Sequence, residues 1–528
     1  MNADDACCRA DQSHGKAISI HSVPDGALLE IFELCSKNRS DFLFFEKDVL
    51  GRQLFHVCQR WRYLIFASPS RLDLKLFCSP GTPVRKGLGW WPAFPIIVDY
   101  NKVTSEDEDN VVAALEHPDR VRRVTLSRIT RALWEKLDAA MQKPFPALTH
   151  VCLTGPTNID ERAPVLPREL LGGGTLRLKE LDLDGMSYPK LPEFLPSARD
   201  LVRLRFANIP PTCVLSPKEM LTGLAGLTRL ESLTIEFQNS IRLNLLTDQK
   251  LSAPATPAVR LPVLDRFTFR GYCEYLEDLV AQIDAPLVTK FNIDYFSQPT
   301  YHVPQLARFL ARSEIFKPPG LSSVSIRYIP WTNIWFCGPN MENLIFKIKS
   351  SGMVRGILHS VQLCQQLSAL FSSIVDLYLC GPAPASNQPP YGGSLYGGSR
   401  FSNSLGSMFG ETIFGRPLLE FPGVQDSIDN IDWIGLLRLF TAVTKLGLRG
   451  ELSENIIYVL ELVRGDMTAK VLPALHTLEF VRERPPPTLS THRFVSTREE
   501  AGRPVTISYP DDEDEEERED DNEDEDNE

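Results

Sequence analysis

One recurring pattern constrains this 528-residue chain more than any other. An apolar residue is followed three positions later by a second, and two positions after that by a third. The triplets are Val121/Val124/Leu126, Leu148/Val151/Leu153, Leu178/Leu181/Leu183, Leu201/Leu204/Phe206, Leu230/Leu233/Ile235 and Leu264/Phe267/Phe269. They continue as Val288/Phe291/Ile293, Leu321/Val324/Ile326, a weaker Met341/Leu344/Phe346, Ile374/Leu377/Leu379, Val443/Leu446/Leu448 and Leu475/Leu478/Phe480. The last two positions flank a single residue, which is the period of a strand with one buried face. Successive third positions are mostly 20 to 34 residues apart, room for a strand and a returning helix or turn. Many triplets follow proline, as in Pro146-Ala147-Leu148 and Pro473-Ala474-Leu475. One such strand cannot bury its own apolar face, so the chain must bring the strands together. They form either stacked repeats or the half-buried strands of an ordinary α/β domain.

The interval is the leucine-rich-repeat period. The pattern resembles the irregular leucine-rich repeats that often follow an F-box. That family carries Asn or Cys three residues after its last leucine; here those positions are Ile129, Met186, Ile209 and Tyr272, so the polar side-chain ladder is absent. In such arrays the strand residues between the apolar positions face outward and line the binding surface. Here they include Thr125, Cys152, Asp182, Arg205, Thr234, Thr268, Asn292, Ser325, Tyr378, Gly447 and Glu479. They mix both signs of charge, which names no partner. Asp182, Arg205, Thr234, Thr268, Asn292 and Tyr378 are the candidate target-binding residues.

Ahead of the repeats, Ile18 to Leu72 carries two amphipathic helical patterns around a polar and aromatic insertion. Ala27, Leu28, Ile31, Phe32, Leu34 and Cys35 fall on one helical face. Pro24 and Asp25 suit a first turn. Leu54, Val57, Cys58, Trp61, Leu64 and Ile65 form the second face, which Ser68-Pro69 ends. Gln59, Arg60 and Arg62 point to water or to a partner. Val23-Pro24, Leu28, Ile31-Phe32 and Val57-Cys58-x-Arg60-Trp61-Arg62 together resemble an F-box, over about a tenth of the chain. Val23 stands where that family has leucine, and the insertion from Ser36 to Gly51 is longer than usual. The resemblance implies a helical trio docking a Skp-type adaptor, and through it a cullin–RING ubiquitin ligase. It makes Val23, Pro24, Leu28, Ile31, Phe32, Val57, Cys58 and Trp61 the adaptor-binding candidates. Val57 to Tyr100 also resembles an expanded group of fungal F-box-like proteins.

Charge needs partitioning before it is used. The net is −12, but Asp511 to Glu528 holds 15 acidic residues and one arginine, leaving the other 510 residues at +2. No global field favours nucleic acid or a membrane. No apolar run is long enough to span a bilayer, and residues 1–17 do not read as a secretory signal. The eleven cysteines lack a Cys-x-x-Cys pair, and most sit in apolar runs, the usage of a cytoplasmic or nuclear protein. Gly172-Gly173-Gly174 lacks the Lys-Ser/Thr of a phosphate loop, and no zinc-spaced ligand set, RING, Gly-x-Ser-x-Gly or His-Glu-x-x-His occurs. Catalysis and cofactors are therefore not expected, and any role in ubiquitin transfer is positional.

The expected organisation is an α/β chain. Residues 1–17 are a disordered lead, 18–72 an F-box-like helical unit, and 73–100 a packed connector with Trp90 and Trp91. Residues 101–480 are an irregular leucine-rich-repeat solenoid with a flexible Pro/Gly/Ser-rich insertion at 381–423. Residues 481–528 are a disordered acidic tail. The expected role is the substrate-recognition subunit of a ubiquitin ligase, with an unknown protein target. The alternative is a repeat scaffold whose helical unit engages no ligase.

Overall fold

A computed structural model describes residues 20–37, 57–68, 75–81, 84–89, 93–156, 163–173, 177–238, 259–313, 322–328, 332–338, 342–349, 353–381, 433–450, 452–463, 465–481 and 489–509. The insertions at 38–56 and 382–432, Trp90 and Trp91, the lead at 1–17 and the acidic residues from 510 onward lie outside them. The chain divides into two compact units. One comprises Met1–Lys190 with Ser197–Leu201, the other Leu191–Pro196 with Val202–Glu528.

The first unit opens with α1 (Asp25–Lys37) and α2 (Gln59–Ala67). Strands then alternate with helices: β1 (Leu76–Cys78), α3 (Val84–Leu88), β2 (Ile96–Tyr100), α4 (Glu108–Leu115), β3 (Val121–Leu126), α5 (Arg131–Met141), β4 (His150–Thr154) and β5 (Glu180–Asp184). The five strands pair in chain order, all parallel. The stretch read as a connector thus supplies β1 and β2. Ile96, Val98 and Tyr100 are fully buried, so the strand array begins before residue 101. Thr130 starts α5 by accepting a bond from the Leu133 amide at 3.2 Å.

The second unit runs α6 (Leu191–Phe194), β6 (Arg203–Ile209), α7 (Pro217–Leu224), β7 (Ser232–Phe237), β8 (Val259–Arg260), β9 (Arg266–Gly271), α8 (Cys273–Val280), β10 (Ile283–Asp284) and β11 (Lys290–Tyr295). It continues with α9 (Pro304–Arg312), β12 (Ser323–Tyr328), β13 (Thr332–Cys337), β14 (Glu342–Ile348), α10 (Met353–Leu367), β15 (Asp376–Cys380) and α11 (Trp433–Leu437). The last elements are β16 (Lys445–Arg449), α12 (Leu452–Glu461), β17 (Thr477–Phe480), α13 (Leu489–Glu500) and β18 (Thr506–Ser508). Its strands lie in the order β6-β7-β9-β11-β14-β13-β12-β15-β16-β17-β18, with β8 and β10 forming a separate parallel pair. Every neighbour is parallel except β13, which runs antiparallel to both β12 and β14. From α6 to α13 each helix packs against the next. Ser216 and Glu219 form a reciprocal capping box at the start of α7, with Pro217 as its first residue.

The second and third residues of all twelve triplets lie in strands and are at most 2% exposed. They stack in register. Val124 pairs with Val151 and Val151 with Leu181. Leu233 pairs with Phe267 and Phe267 with Phe291. Leu377 pairs with Leu446 and Leu446 with Leu478. Each buried side chain of this size contributes about 1.5–3 kcal/mol, and the ladder repeats that gain strand by strand. Ile129, Met186 and Ile209, at the positions of the missing polar ladder, are buried and extend the apolar core.

Two features depart from the expected order. The meander β12–β13–β14 places β14, not β12, beside β11, and β12 beside β15. Thr332, Ile334 and Phe336 of β13 point into the core, and the hairpin hydrogen bonds hold the strand antiparallel. The tail expected to be disordered from 481 is folded over 489–509, where α13 and β18 extend the array. Phe494 and Val505 are buried there. Arg498, 2% exposed, donates to the carbonyls of Thr468, Leu472 and Leu475, each at 3.2 Å. A polar run thereby becomes a closing cap for strands that would otherwise end on unpaired backbone.

Candidate functional site

Two surfaces follow from the sequence, and the geometry sharpens each. On the helical pair, Leu28 and Phe32 of α1 form a small core with Leu64 and Ile65 of α2. The Trp61 ring meets Phe32 edge-on, with centroids 4.8 Å apart. Arg60 clamps the start of α1: its Nη2 donates to the Val23 carbonyl at 2.6 Å and its Nε to Asp25 Oδ1 at 2.9 Å. The Val-Pro-Asp opening and the Cys-x-Arg-Trp close of the motif are therefore in direct contact. Phe66 carries the pair toward the strands, its ring 5.8 Å from Phe94.

This core splits the apolar face read from the sequence. Leu28 and Phe32 turn inward. Ile31 and Leu34, three apart on the same helix, are 48% and 59% exposed. Val57 and Tyr63 are exposed as well, Pro24 faces solvent, and Val23, Cys58 and Trp61 are half-buried. A helix needs only one stripe to hold its partner helix. The second stripe has no partner within the described residues.

The other surface is the strand face opposite the helices. In the first unit Thr125, Cys152 and Asp182 stand in one row across β3, β4 and β5. Asp99 extends that row beyond Thr125, Glu180 shares the next row with Arg123 and His150, Asp184 lies on the other side, and His150 lies 3.8 Å from Glu180, so carboxylates predominate on this face. In the second unit Arg205, Thr234, Thr268 and Asn292 form a continuous row. The row continues through Ile345, Trp335 and Ser325 to Tyr378, Gly447, Glu479 and Ser508. All six candidate target-binding residues are half-buried on these rows: Asp182 in the first unit, the other five in the second. Together with the rows above and below it, the second unit's face carries nine lysines and arginines against four carboxylates among the described residues, so the signs that look mixed in sequence are segregated in space.

Cations and aromatic rings interleave there. Arg327 lies 4.8 Å from the centre of the Trp335 ring, and Lys445 Nζ lies 5.8 Å from that of Tyr378. Burial pulls Lys445 down, but Glu479 at 3.1 Å and Tyr378 beside it hold its ammonium above the usual lysine value. Burial raises the Asp294 carboxyl, while Lys349, Arg270 and Lys347 around it act the other way. Trp335 lies on β13, outside the twelve triplets. The alternation Thr332/Ile334/Phe336 before Gly338-Pro339 is the signal that would have found β13 and hence Trp335.

Burial pushes the Cys78, Cys273 and Cys364 thiols up to about 12, which leaves them protonated and poorly nucleophilic. Among the described residues no three His, Cys, Asp or Glu side chains come together as a metal site. No protein-family model matches the chain, and no curated protein matches its sequence.

Proposed function

We propose that the chain is a substrate-recognition subunit of a Skp–cullin–F-box type ubiquitin ligase. The helical pair is its F-box-like unit, docking a Skp-type adaptor, and the strand array is an irregular leucine-rich-repeat solenoid that holds a protein target. The observation that carries this reading is the outward apolar stripe of Ile31 and Leu34 on a helix whose inner stripe is already packed. Apolar side chains left together at a surface mark a docking face. The in-register strands within each unit support the second half, because stacked repeats create an extended surface for recognising another protein. The chain performs no chemistry in this role. It raises the local concentration of its target near a charged carrier, in the cytoplasm or nucleus.

Proximity labelling from the full chain tests both halves together. Adaptor, cullin and a target are expected in the labelled set. With Ile31→Asp and Leu34→Asp the ligase components are expected to vanish while the target stays. A set with a target and no ligase component from the unaltered chain would leave a scaffold in place of a receptor.

A further inference from the structure

One row of the second unit's face is mainly cationic beyond Asp294, which is the register partner of Lys347. Lys347, Asn333, Arg327, Cys380 and Arg449 stand side by side across β14, β13, β12, β15 and β16. Cations therefore recur on every second strand, about 10 Å apart at a strand spacing of about 4.8 Å. Arg327 and Arg449 flank the buried Cys380, and neither forms an ion pair among the described residues. Arg327 is exposed, with its guanidinium carbon over the Trp335 ring and a side-chain hydrogen bond to Cys380, and its remaining N–H groups suit a carboxylate.

The most acidic segment available is the chain's own. Asp511 to Glu528 carries 15 carboxylates, and it follows directly on β18 at the edge of this same unit. Ser508 is in register with Glu479, and Glu479 with Gly447, two residues before Arg449. The chain thus leaves the sheet at the strand ends where the cationic row stands. The Tyr509 ring stacks on Phe480 at 5.7 Å and fixes that exit. Counting strands, Arg449 is about 10 Å from β18, Arg327 about 19 Å and Lys347 about 29 Å. Eighteen extended residues reach about 60 Å, twice what is needed.

We propose that the acidic segment Asp511–Glu528 docks on the row of Arg449, Arg327 and Lys347 and occupies the face that would otherwise hold the target. Tethering gives the segment a millimolar effective concentration, so a target must outcompete it or match its charge. The docking itself does not depend on the helical pair, and its regulatory meaning rests on the receptor reading. Adaptor binding and segment binding therefore fail independently.

The test uses a labelled synthetic peptide of residues 511–528 and two forms of the full-length chain. One is unaltered. In the other every Asp and Glu from 511 to 528 is replaced by Asn or Gln. The neutral-tail form is expected to bind the peptide at least tenfold more tightly than the unaltered chain. Raising salt from 0.1 to 0.5 M should remove that binding, because exposed charges are screened. Arg327→Gln with Arg449→Gln in the neutral-tail form should weaken it at least tenfold with an unchanged Tm, and Lys347→Gln alone should weaken it less. Equal affinity of the two forms for the peptide overturns the proposal. So does tight binding that survives the arginine substitutions, or a preference of the neutral-tail form for a single-stranded oligonucleotide of equal charge.

Discussion

The Tyr378 ring lies across Gly447, so that a Cβ added to the glycine would stand 2.7 Å from the ring's Cε1. The two residues are direct register partners on β15 and β16. Glycine in a strand interior costs conformational entropy and packs nothing. Its place here is explained by the ring it makes room for. Tyr378 is held flat on the face, with Lys445 at one side and Glu479 paired to that lysine. Tyr378, an outward-facing candidate for target binding in the sequence, is a pre-positioned aromatic platform.

Gly447→Ala should therefore destabilise the second unit by about 1–3 kcal/mol, the cost of forcing a packed side chain from its place. Tyr378→Ala in the same chain should recover most of that loss, giving a coupling of about 1 kcal/mol or more in a double-mutant cycle. Chemical denaturation of the four forms measures it. Additive losses would mean that the ring does not rest on Gly447.

The Glu277 carboxylate accepts from the Gln305 and Leu306 amides, both at 2.8 Å, and so caps α9 from α8. Burial nevertheless pushes it up to about 7, against the pull of those two amides. A carboxyl whose folded value lies above its unfolded value of about 4.3 favours the folded state most at low pH. Its contribution is fully present below about pH 4.3 and is lost as pH rises through 7. Glu277→Gln keeps an acceptor for the amides and removes the titration. The difference in Tm between pH 5 and pH 8 should shrink in this variant, with wild type losing more stability than the variant on going to pH 8. An unchanged difference would place the carboxyl's titration below pH 5.

Arg498 carries the closing cap. Arg498→Met fills similar space but leaves the carbonyls of Thr468, Leu472 and Leu475 without their donor. Each unsatisfied buried group costs about 1–3 kcal/mol, so the last helix and strand should open locally. Amide exchange across 489–509 is expected to accelerate at least tenfold, with little change in the first unit. Unaltered exchange there would mean that the apolar contacts of Phe494 and Val505 suffice.

Much of this architecture is written in short-range pattern. The triplets place the strands because each strand buries one face, and burial with a period of two is visible in a single sequence. The outward residues could be named for the same reason. Which strand neighbours which was not legible. β12 and β14 have the same pattern, and only the intervening β13, with its antiparallel hydrogen bonds, decides that β14 meets β11. Charge segregation was likewise hidden, since Arg327, Lys347 and Arg449 are distant in sequence and become neighbours only through register. The tail's α13 escaped because its burial depends on Arg498, a residue type that rarely enters a core. On α1, periodicity gave one broad apolar face, whereas the core with α2 buries Leu28 and Phe32, takes Leu29 at its edge and leaves Ile31 and Leu34 outside.

That last distinction separates folding from function in the helical pair. Phe32→Ala should cost about 3–5 kcal/mol of local stability, since the ring packs between Leu64, Ile65 and Trp61. Ile31→Ala and Leu34→Ala should each stay within about 0.5 kcal/mol of wild type, because both side chains stand in water.

The most direct measurement is the Kd of the full-length chain for a purified Skp-type adaptor, by calorimetry, with the Ile31→Ala/Leu34→Ala double variant alongside. Saturable one-to-one binding is expected for the unaltered chain. At least a tenfold weaker Kd with an unchanged Tm is expected for the double variant. A folded, unaltered chain that shows no heat of binding, or a double variant that binds as well as wild type, would contradict an adaptor-docking role for the outward stripe.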